Sequence, residues 1–239
     1  MDESKSRQTW LEHWSQYAKQ GEPEWDSLCE LIYRFHSRTF RPKNKVILET
    51  GSGTGRVTSR LAMEGASAVL LDISADAFEL ARLQFRGTIR HFVVGDISSL
   101  PFRNASFDVV WSSGVLEHYD QHLAQTHLGE SRRLLRKGGI LIAIVPNRGA
   151  FVYDLFRRWK MRTGRWKVGY EEPWRIKDLY DFDVPPTTHW SAGFFHQLIF
   201  IAVPKARKLL TRIVPRLSVL LDDKIPTGYL LAGVWKVLF

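Results

Sequence analysis

Hydrophobic and polar positions along the first 146 residues follow two alternating periods. Apolar residues recur at helical spacing over residues 7–20 and again after Asp26, which is suited to cap the second helix. Between later stretches of helical spacing lie short apolar runs that predict strands. These runs occupy residues 46–50, 68–73, 90–96, 107–113 and 139–146. The alternation predicts an α/β fold with a doubly wound, mostly parallel sheet covered by helices on both sides.

The pattern changes after Pro146, where basic and aromatic residues replace the regular alternation. Within "RGAFVYDLFRRWKMRTGRWK", helical spacing places five apolar side chains on one face: Phe151, Val152, Leu155, Phe156 and Trp159. The basic side chains are predicted to lie off that face: Arg157, Arg158, Lys160 and Arg162. Residues 192–221 read as broken helix, and residues 228–237 as a last strand. We therefore expect a basic aromatic insertion after the fifth strand of a sheet of about seven strands.

These patterns divide the chain into four parts. Residues 1–44 are predicted N-terminal helices, and residues 45–147 are the core with most of the strands. Residues 148–227 form a predicted lid, and residues 228–239 return to the sheet.

Charge and cysteine content limit the cellular compartments and binding partners that the sequence suggests. The chain has 239 residues with a net charge of +9, but residues 147–239 carry 16 Lys and Arg against 8 Asp and Glu. The single cysteine, Cys29, excludes an internal disulfide framework and favours a reducing cytoplasm. The apolar run "LIFIAV" is far shorter than the ~20 residues of a spanning helix. A peripheral contact of the basic part with a membrane stays open.

A glycine-rich loop carries the candidate chemistry. In "VILETGSGTGR", residues 46–56, a predicted strand ends in an acid and three glycines at alternating positions. The third glycine comes one residue too early for the G-x-G-x-x-G dinucleotide motif, and no G-K-[ST] of a P-loop follows. A pyrophosphate ligand is therefore disfavoured.

The loop resembles the binding motif of class I S-adenosylmethionine-dependent methyltransferases. Four further segments occur in the family's order: "LLDIS", "GDISSLPF", "FDVVWSSGVLEH" and "LLRKGGILIAIVPN". The core also resembles ubiquinone and menaquinone C-methyltransferases, although their substrate motifs are not clearly present. The resemblance implies a Rossmann-like methyltransferase fold, S-adenosylmethionine as cofactor and no metal.

The resemblance also implies cofactor contacts at the strand ends. An acid at Glu49 suits the cofactor's ammonium, and Asp72 suits both ribose hydroxyls. Ile73 and Ile97 would pack on the adenine, and Asp96 would reach its amino group. The resemblance further implies that the helices of residues 1–44 cap the cofactor site. The remaining implied contacts are the loop backbone, the end of the fourth strand and a tyrosine of the N-terminal helix: Gly51, Ser52, Gly53, Gly55, Ser112, Ser113 and Tyr17.

The acceptor side is less defined by the sequence. His118 follows the fourth strand, where the family's substrate pocket opens, and is a candidate to orient or deprotonate a hydroxyl. A packing histidine is the alternative. The insertion suits a lid over a small hydrophobic or aromatic acceptor, an anionic membrane surface or, less well, nucleic acid. Two other functions remain open: a non-catalytic binding scaffold, and a nicotinamide-dependent oxidoreductase.

Overall fold

The computed structural model describes residues 3–18, 25–84, 91–166, 170–202, 210, 214 and 227–237. The helices are α1 (Glu3–Ala18), α2 (Ser27–Thr39), α3 (Arg56–Met63), α4 (Ala75–Gln84), α5 (Gln121–Leu134), α6 (Phe151–Arg162), α7 (Ile176–Tyr180) and α8 (Gln197–Ile201). The strands are β1 (Val46–Thr50), β2 (Ser67–Asp72), β3 (His91–Val94), β4 (Phe107–Ser113), β5 (Leu135–Pro146), β6 (Thr188–Ala192) and β7 (Leu230–Lys236).

The seven strands form one sheet in the order β3-β2-β1-β4-β5-β7-β6. Strands β1 to β5 pair in parallel, while β7 runs antiparallel to both of its neighbours. The predicted doubly wound, mostly parallel sheet is confirmed. From β1 the chain adds β2 and β3 on one side and then β4 and β5 on the other, so the strand order reverses between β1 and β4. Open α/β sheets bind ligands at such a point.

Strand residues alternate between two hydrophobic cores, one on each face of the sheet. Ile47 of β1 packs with the α2 side, whereas Leu48, the next residue, packs with α5 on the opposite side. Helix α2 begins where predicted, because the Asp26 carboxylate accepts a hydrogen bond from the backbone N–H of Cys29 at 2.8 Å. Cys29 itself is buried, and burial raises the pKa of its thiol to about 12, so it acts as a small core residue.

Two details differ from the sequence-based expectation. The strand expected over residues 139–146 begins earlier, at Leu135, directly after α5 ends at Leu134. There the ladder with β4 is irregular, and Gly138 adopts a φ of 76°, so the glycines shape a strand rather than follow a helix. Strand β6 was missed, because its sequence "THWSA" lies inside the segment interpreted as a lid. Part of residues 148–227 therefore belongs to the core sheet.

Candidate functional site

The glycine loop after β1 forms the floor of a pocket at the carboxyl ends of the parallel strands. Gly51 and Gly53 have φ values of 61° and 51°, in the left-handed region that side chains rarely adopt. A Cβ on Gly53 would lie 2.4 Å from the Trp14 ring of α1, and one on Gly51 would lie 2.5 Å from Val115. The loop backbone thus runs directly beneath neighbouring side chains. Ser52 and Gly55 line the same pocket, which has a volume of about 240 Å³.

Glu49 reaches this pocket from the end of β1. It is 7% exposed, and within the described part of the chain its Oε2 atom has no hydrogen-bond partner. Burial raises the pKa of its carboxyl to about 8, an effect that a hydrogen bond from Thr58 and the charge of Arg56 partly oppose. A buried carboxylate is costly without a partner, so this position suits a ligand that carries a positive charge.

Asp72 ends β2 and is bound to the glycine loop. Its Oδ2 atom accepts a hydrogen bond from the Gly53 N–H at 2.7 Å, and its Oδ1 atom accepts one from the Ser74 N–H at 2.9 Å. Burial raises the pKa of its carboxyl, while these backbone hydrogen bonds lower it. Asp72 lines the pocket, and a carboxylate can accept more than these two hydrogen bonds, as binding of hydroxyl ligands requires. Ile73, the next residue, also lines the pocket.

The third and fourth strands contribute only some of the predicted residues. Ile97 and Ser113 line the pocket, whereas Asp96 and Ser112 do not. Asp96 accepts hydrogen bonds from the backbone and hydroxyl groups of Ser98, so its carboxylate caps its own turn. Ser112 is buried in β4 between residues that do line the pocket, because successive side chains of a strand point to opposite faces.

Helix α1 covers the pocket with two tryptophans. Trp10 and Trp14 both line it, and the Trp10 ring lies 4.8 Å from the ring of His118 in an edge-on contact. The signal available in the sequence was their spacing of four residues on one helical face. The side chain of Tyr17, predicted to contact the cofactor, lies outside the described residues.

His118 lies at the rim of the pocket, in a 3₁₀ turn after β4. Its Nδ1 atom is 2.6 Å from the backbone carbonyl of Tyr170. Since a carbonyl only accepts, Nδ1 carries the proton and Nε2 retains its lone pair. Burial lowers the pKa of the imidazole to about 4, which keeps it neutral at neutral pH. Neighbouring Glu117 is buried, with Oε1 3.9 Å from Nε2, and burial raises the pKa of its carboxyl well above the usual range.

The sequence of this region also matches a known protein family. The family described as "methyltransferase domain" matches residues 48–143, from within β1 through the glycine loop and into β5. Residues 48–143 form a methyltransferase domain. The resemblance to class I methyltransferases implies S-adenosylmethionine as cofactor, and the site fits that cofactor on two observations: the unpartnered oxygen of Glu49 and the carboxylate of Asp72, both of which line the pocket.

Related proteins from other organisms are similar to part of this chain. A malonyl-[acyl-carrier protein] O-methyltransferase of Enterobacter lignolyticus is 31% identical over 52% of this chain and 47% of its own length. A demethylmenaquinone methyltransferase of Clavibacter sepedonicus is 35% identical over 40% of this chain and 39% of its own. The chain thus spans half or less of the length of these relatives.

One solved structure extends the likeness in fold beyond the methyltransferase domain. The magnesium protoporphyrin IX methyltransferase of Synechocystis, with bound S-adenosylhomocysteine, has a TM-score of 0.56 at 15% identity. The alignment covers 87% of this chain and 81% of that one.

The described residues also bear on metal binding and on membrane spanning. Within the described part of the chain, no three side chains of His, Cys, Asp or Glu come together as metal ligands would. Among the same residues, none of the helices combines the length and apolarity needed to cross a bilayer.

Proposed function

We propose that this chain transfers the methyl group of S-adenosylmethionine to a small hydrophobic or aromatic acceptor. The observation that carries the proposal is the convergence of three side chains on one pocket: Glu49, Asp72 and His118. Bound there, the cofactor supplies a methyl group activated by a sulfonium. Glu49 would hold its cationic amino-acid part, and Asp72 its ribose hydroxyls. Ile73 and Ile97 offer apolar surface to its adenine.

The acceptor side of the proposal rests on His118. A neutral imidazole whose Nδ1 is bound to the Tyr170 carbonyl presents one acceptor atom, Nε2, in a fixed direction. With a pKa of about 4, the ring is a weak base, so it is better suited to orienting a hydroxyl or amine than to removing its proton. Trp10 and Trp14 would exclude water from the transfer and provide the aromatic wall that favours a flat or apolar acceptor.

The test separates cofactor binding from transfer. Calorimetric titration with S-adenosylmethionine, and separately with NADH, identifies the cofactor; binding of NADH alone would favour an oxidoreductase. Product mass is then followed with quinone, phenol, amine and carboxylate acceptors. Cofactor binding without any methylated product across that set would favour the scaffold alternative.

Replacement of His118 gives a sharper result once an acceptor is found. We expect His118→Gln, which keeps an acceptor atom, to retain more turnover than His118→Ala. Both variants should bind S-adenosylmethionine within about twofold of the wild type. The exposed His91 of β3 provides the matched control, His91→Ala. Equal loss of turnover and of cofactor affinity in the His118 variants would make this histidine structural.

A further inference from the structure

Helix α6 presents three large apolar side chains to solvent and its central arginine to the protein interior. Phe151 is 73% exposed, Leu155 60% and Trp159 47%, whereas Arg157 is 5% exposed. Three of the five apolar residues predicted to share one face are therefore on the outside. The helix does not bury these side chains as a hydrophobic seam beneath a solvated charged face.

Specific contacts fix this orientation of the helix. Arg157 donates a hydrogen bond to the backbone carbonyl of Glu171 at 2.9 Å and forms an ion pair with Asp154 at 3.1 Å. One turn earlier, the buried Tyr153 donates its hydroxyl to the Glu171 carboxylate. Turning the apolar face inward would expose Tyr153 and break all of these interactions. The exposed aromatic face is thus a built feature of the fold.

Basic side chains lie within and beside this face. At 100° per residue, Arg158 and Arg162 fall in the same arc of about 100° as the three apolar side chains. Arg158 also lines a neighbouring cavity of about 470 Å³, together with Arg148, Arg175 and Lys177. Arg148 pairs with Glu172, and Arg158 with Asp154. Within the described part of the chain, no carboxylate forms an ion pair with Arg175 or Lys177.

We propose that this surface, consisting of Phe151, Leu155, Trp159, Arg158 and Arg162, docks on an anionic phospholipid bilayer. The apolar side chains would enter the interface, and the basic cavity would face the phosphates of the headgroups. An apolar stripe flanked by Arg and Lys on one helix is the pattern of interfacial helices. The surplus of 16 basic over 8 acidic residues in 147–239 gives the attraction to anionic lipid.

The shape of the surface favours a bilayer over other anionic partners. A nucleic acid would engage the arginines through its phosphates but would leave Phe151 and Leu155 in water. The three apolar side chains stand on the outer surface of a helix, so they suit insertion into a soft layer. The proposal is independent of methyl transfer, because its test measures binding alone.

The experiment is co-sedimentation of the full chain with phosphatidylcholine vesicles that contain 0% or about 30% phosphatidylglycerol. We expect binding to the anionic vesicles that weakens as salt rises. The triple variant Phe151→Ser/Leu155→Ser/Trp159→Ser should lose roughly 100-fold in partitioning, since each side chain removes part of its burial in the interface. Lys177→Glu should lose roughly tenfold, because it reverses one charge near the lipid surface.

Matched variants separate a specific surface from general stickiness. Met63→Ser removes an apolar residue that is also exposed. Arg103→Glu reverses a charge just before β4, at the amino ends of the parallel strands, whereas α6 follows the carboxyl end of β5. Neither should change partitioning by more than about twofold. Circular dichroism and thermal unfolding confirm that each variant is folded. Acylation of Lys177 is measured with anionic vesicles and, separately, with inorganic phosphate. Slower acylation with the vesicles alone would identify lipid rather than a free anion as the partner of Lys177.

Several results would overturn the proposal. Failure of the wild type to bind anionic vesicles would do so, as would unchanged binding of the triple variant. Equal binding to neutral and anionic vesicles would remove the role of the basic cavity. Sedimentation velocity is run on the same proteins: a dimer abolished by the triple variant would mean that a second copy covers this face. Tighter binding to single-stranded RNA than to vesicles would favour a nucleic acid.

Discussion

Glu49 provides a quantitative test of how the pocket recognises a cation. In the structure described here, burial raises the pKa of its carboxyl to about 8, and Oε2 has no partner. A positive ligand binds the ionised form, so binding at neutral pH must expel a proton. With a pKa of about 8, lowering the pH from 8 to 6 should weaken the wild type by about 50-fold through this group alone.

The cofactor's own amino group titrates in the same range, so the informative quantity is the difference from Glu49→Gln. Calorimetry from pH 6 to 9, in buffers of different ionisation enthalpy, gives both affinity and proton release. At pH 7 the wild type should release about 0.9 proton more than the variant. Glu49→Gln should bind more weakly at pH 9, and its affinity should lack the 50-fold component. Glu79→Gln, an exposed acid of α4, is the control.

The same group also links pH to stability, with a definite sign. The folded chain binds more protons at Glu49 than the unfolded chain between the usual pKa of 4.5 and the raised value. Stability contributed by this group is therefore lost as pH rises across that window. Glu49→Gln should unfold at a higher temperature than the wild type at pH 8 without cofactor. The same affinity profile in wild type and variant, with no difference in proton release, would refute the argument.

Three further substitutions test other parts of the site and core. Asp72→Ala should weaken S-adenosylmethionine binding at least tenfold in calorimetry, because a charged acceptor and the hydrogen-bond partner of the Gly53 N–H are both lost. Replacement of an exposed acid, Asp76→Ala, should leave the affinity unchanged. Unchanged affinity in Asp72→Ala would contradict the proposed ribose contact. Gly53→Ala should cost roughly 1–3 kcal/mol in urea unfolding through strain and contact with Trp14. Trp14→Ala should recover part of that cost in the double variant, and strict additivity would argue against the contact. His36→Phe should raise the free energy of unfolding by about 1 kcal/mol, because both imidazole nitrogens are buried without partners. Burial lowers the pKa of His36 to about 3, so the free energy of unfolding of the wild type falls as pH drops below 6.5. The variant should therefore also resist acid unfolding better. A variant less stable than the wild type would show that the imidazole itself stabilises the fold.

Local patterns were sufficient for most of the fold. The apolar runs that predicted β1 and β4 match the strands of the structure, since a strand buried on both faces leaves a nearly continuous hydrophobic signature. Strand β6 was missed because "THWSA" is short and is paired only along one edge, with β7. The orientation of α6 could not be predicted, for a different reason. Helical periodicity groups residues on a face, but only the partners of Arg157, distant in sequence, decide which face turns inward.

The candidate site was predictable where backbone geometry determines it. Glycines at alternating positions and acids at strand ends identified the loop, Glu49 and Asp72, because parallel strands bring their carboxyl ends to one edge. Asp96 was also at a strand end, but its carboxylate is bound within its own turn, a local competition that strand spacing does not reveal. The tryptophans of α1 could be grouped on one face by their spacing, but spacing alone does not show what that face contacts. Only the family resemblance implied that the N-terminal helices cap the cofactor site.

The hydrogen bond from His118 to the Tyr170 carbonyl has a consequence for modularity. A second bond joins the same segments, from the Glu172 N–H to the Glu117 carbonyl at 2.8 Å. The insertion after β5 and the turn after β4 are therefore connected parts of one unit. Grafting residues 148–175 from a relative would replace the carbonyl that sets the tautomer of His118, even if the pocket itself were left untouched. An exchange intended to change acceptor choice would have to transfer both segments together.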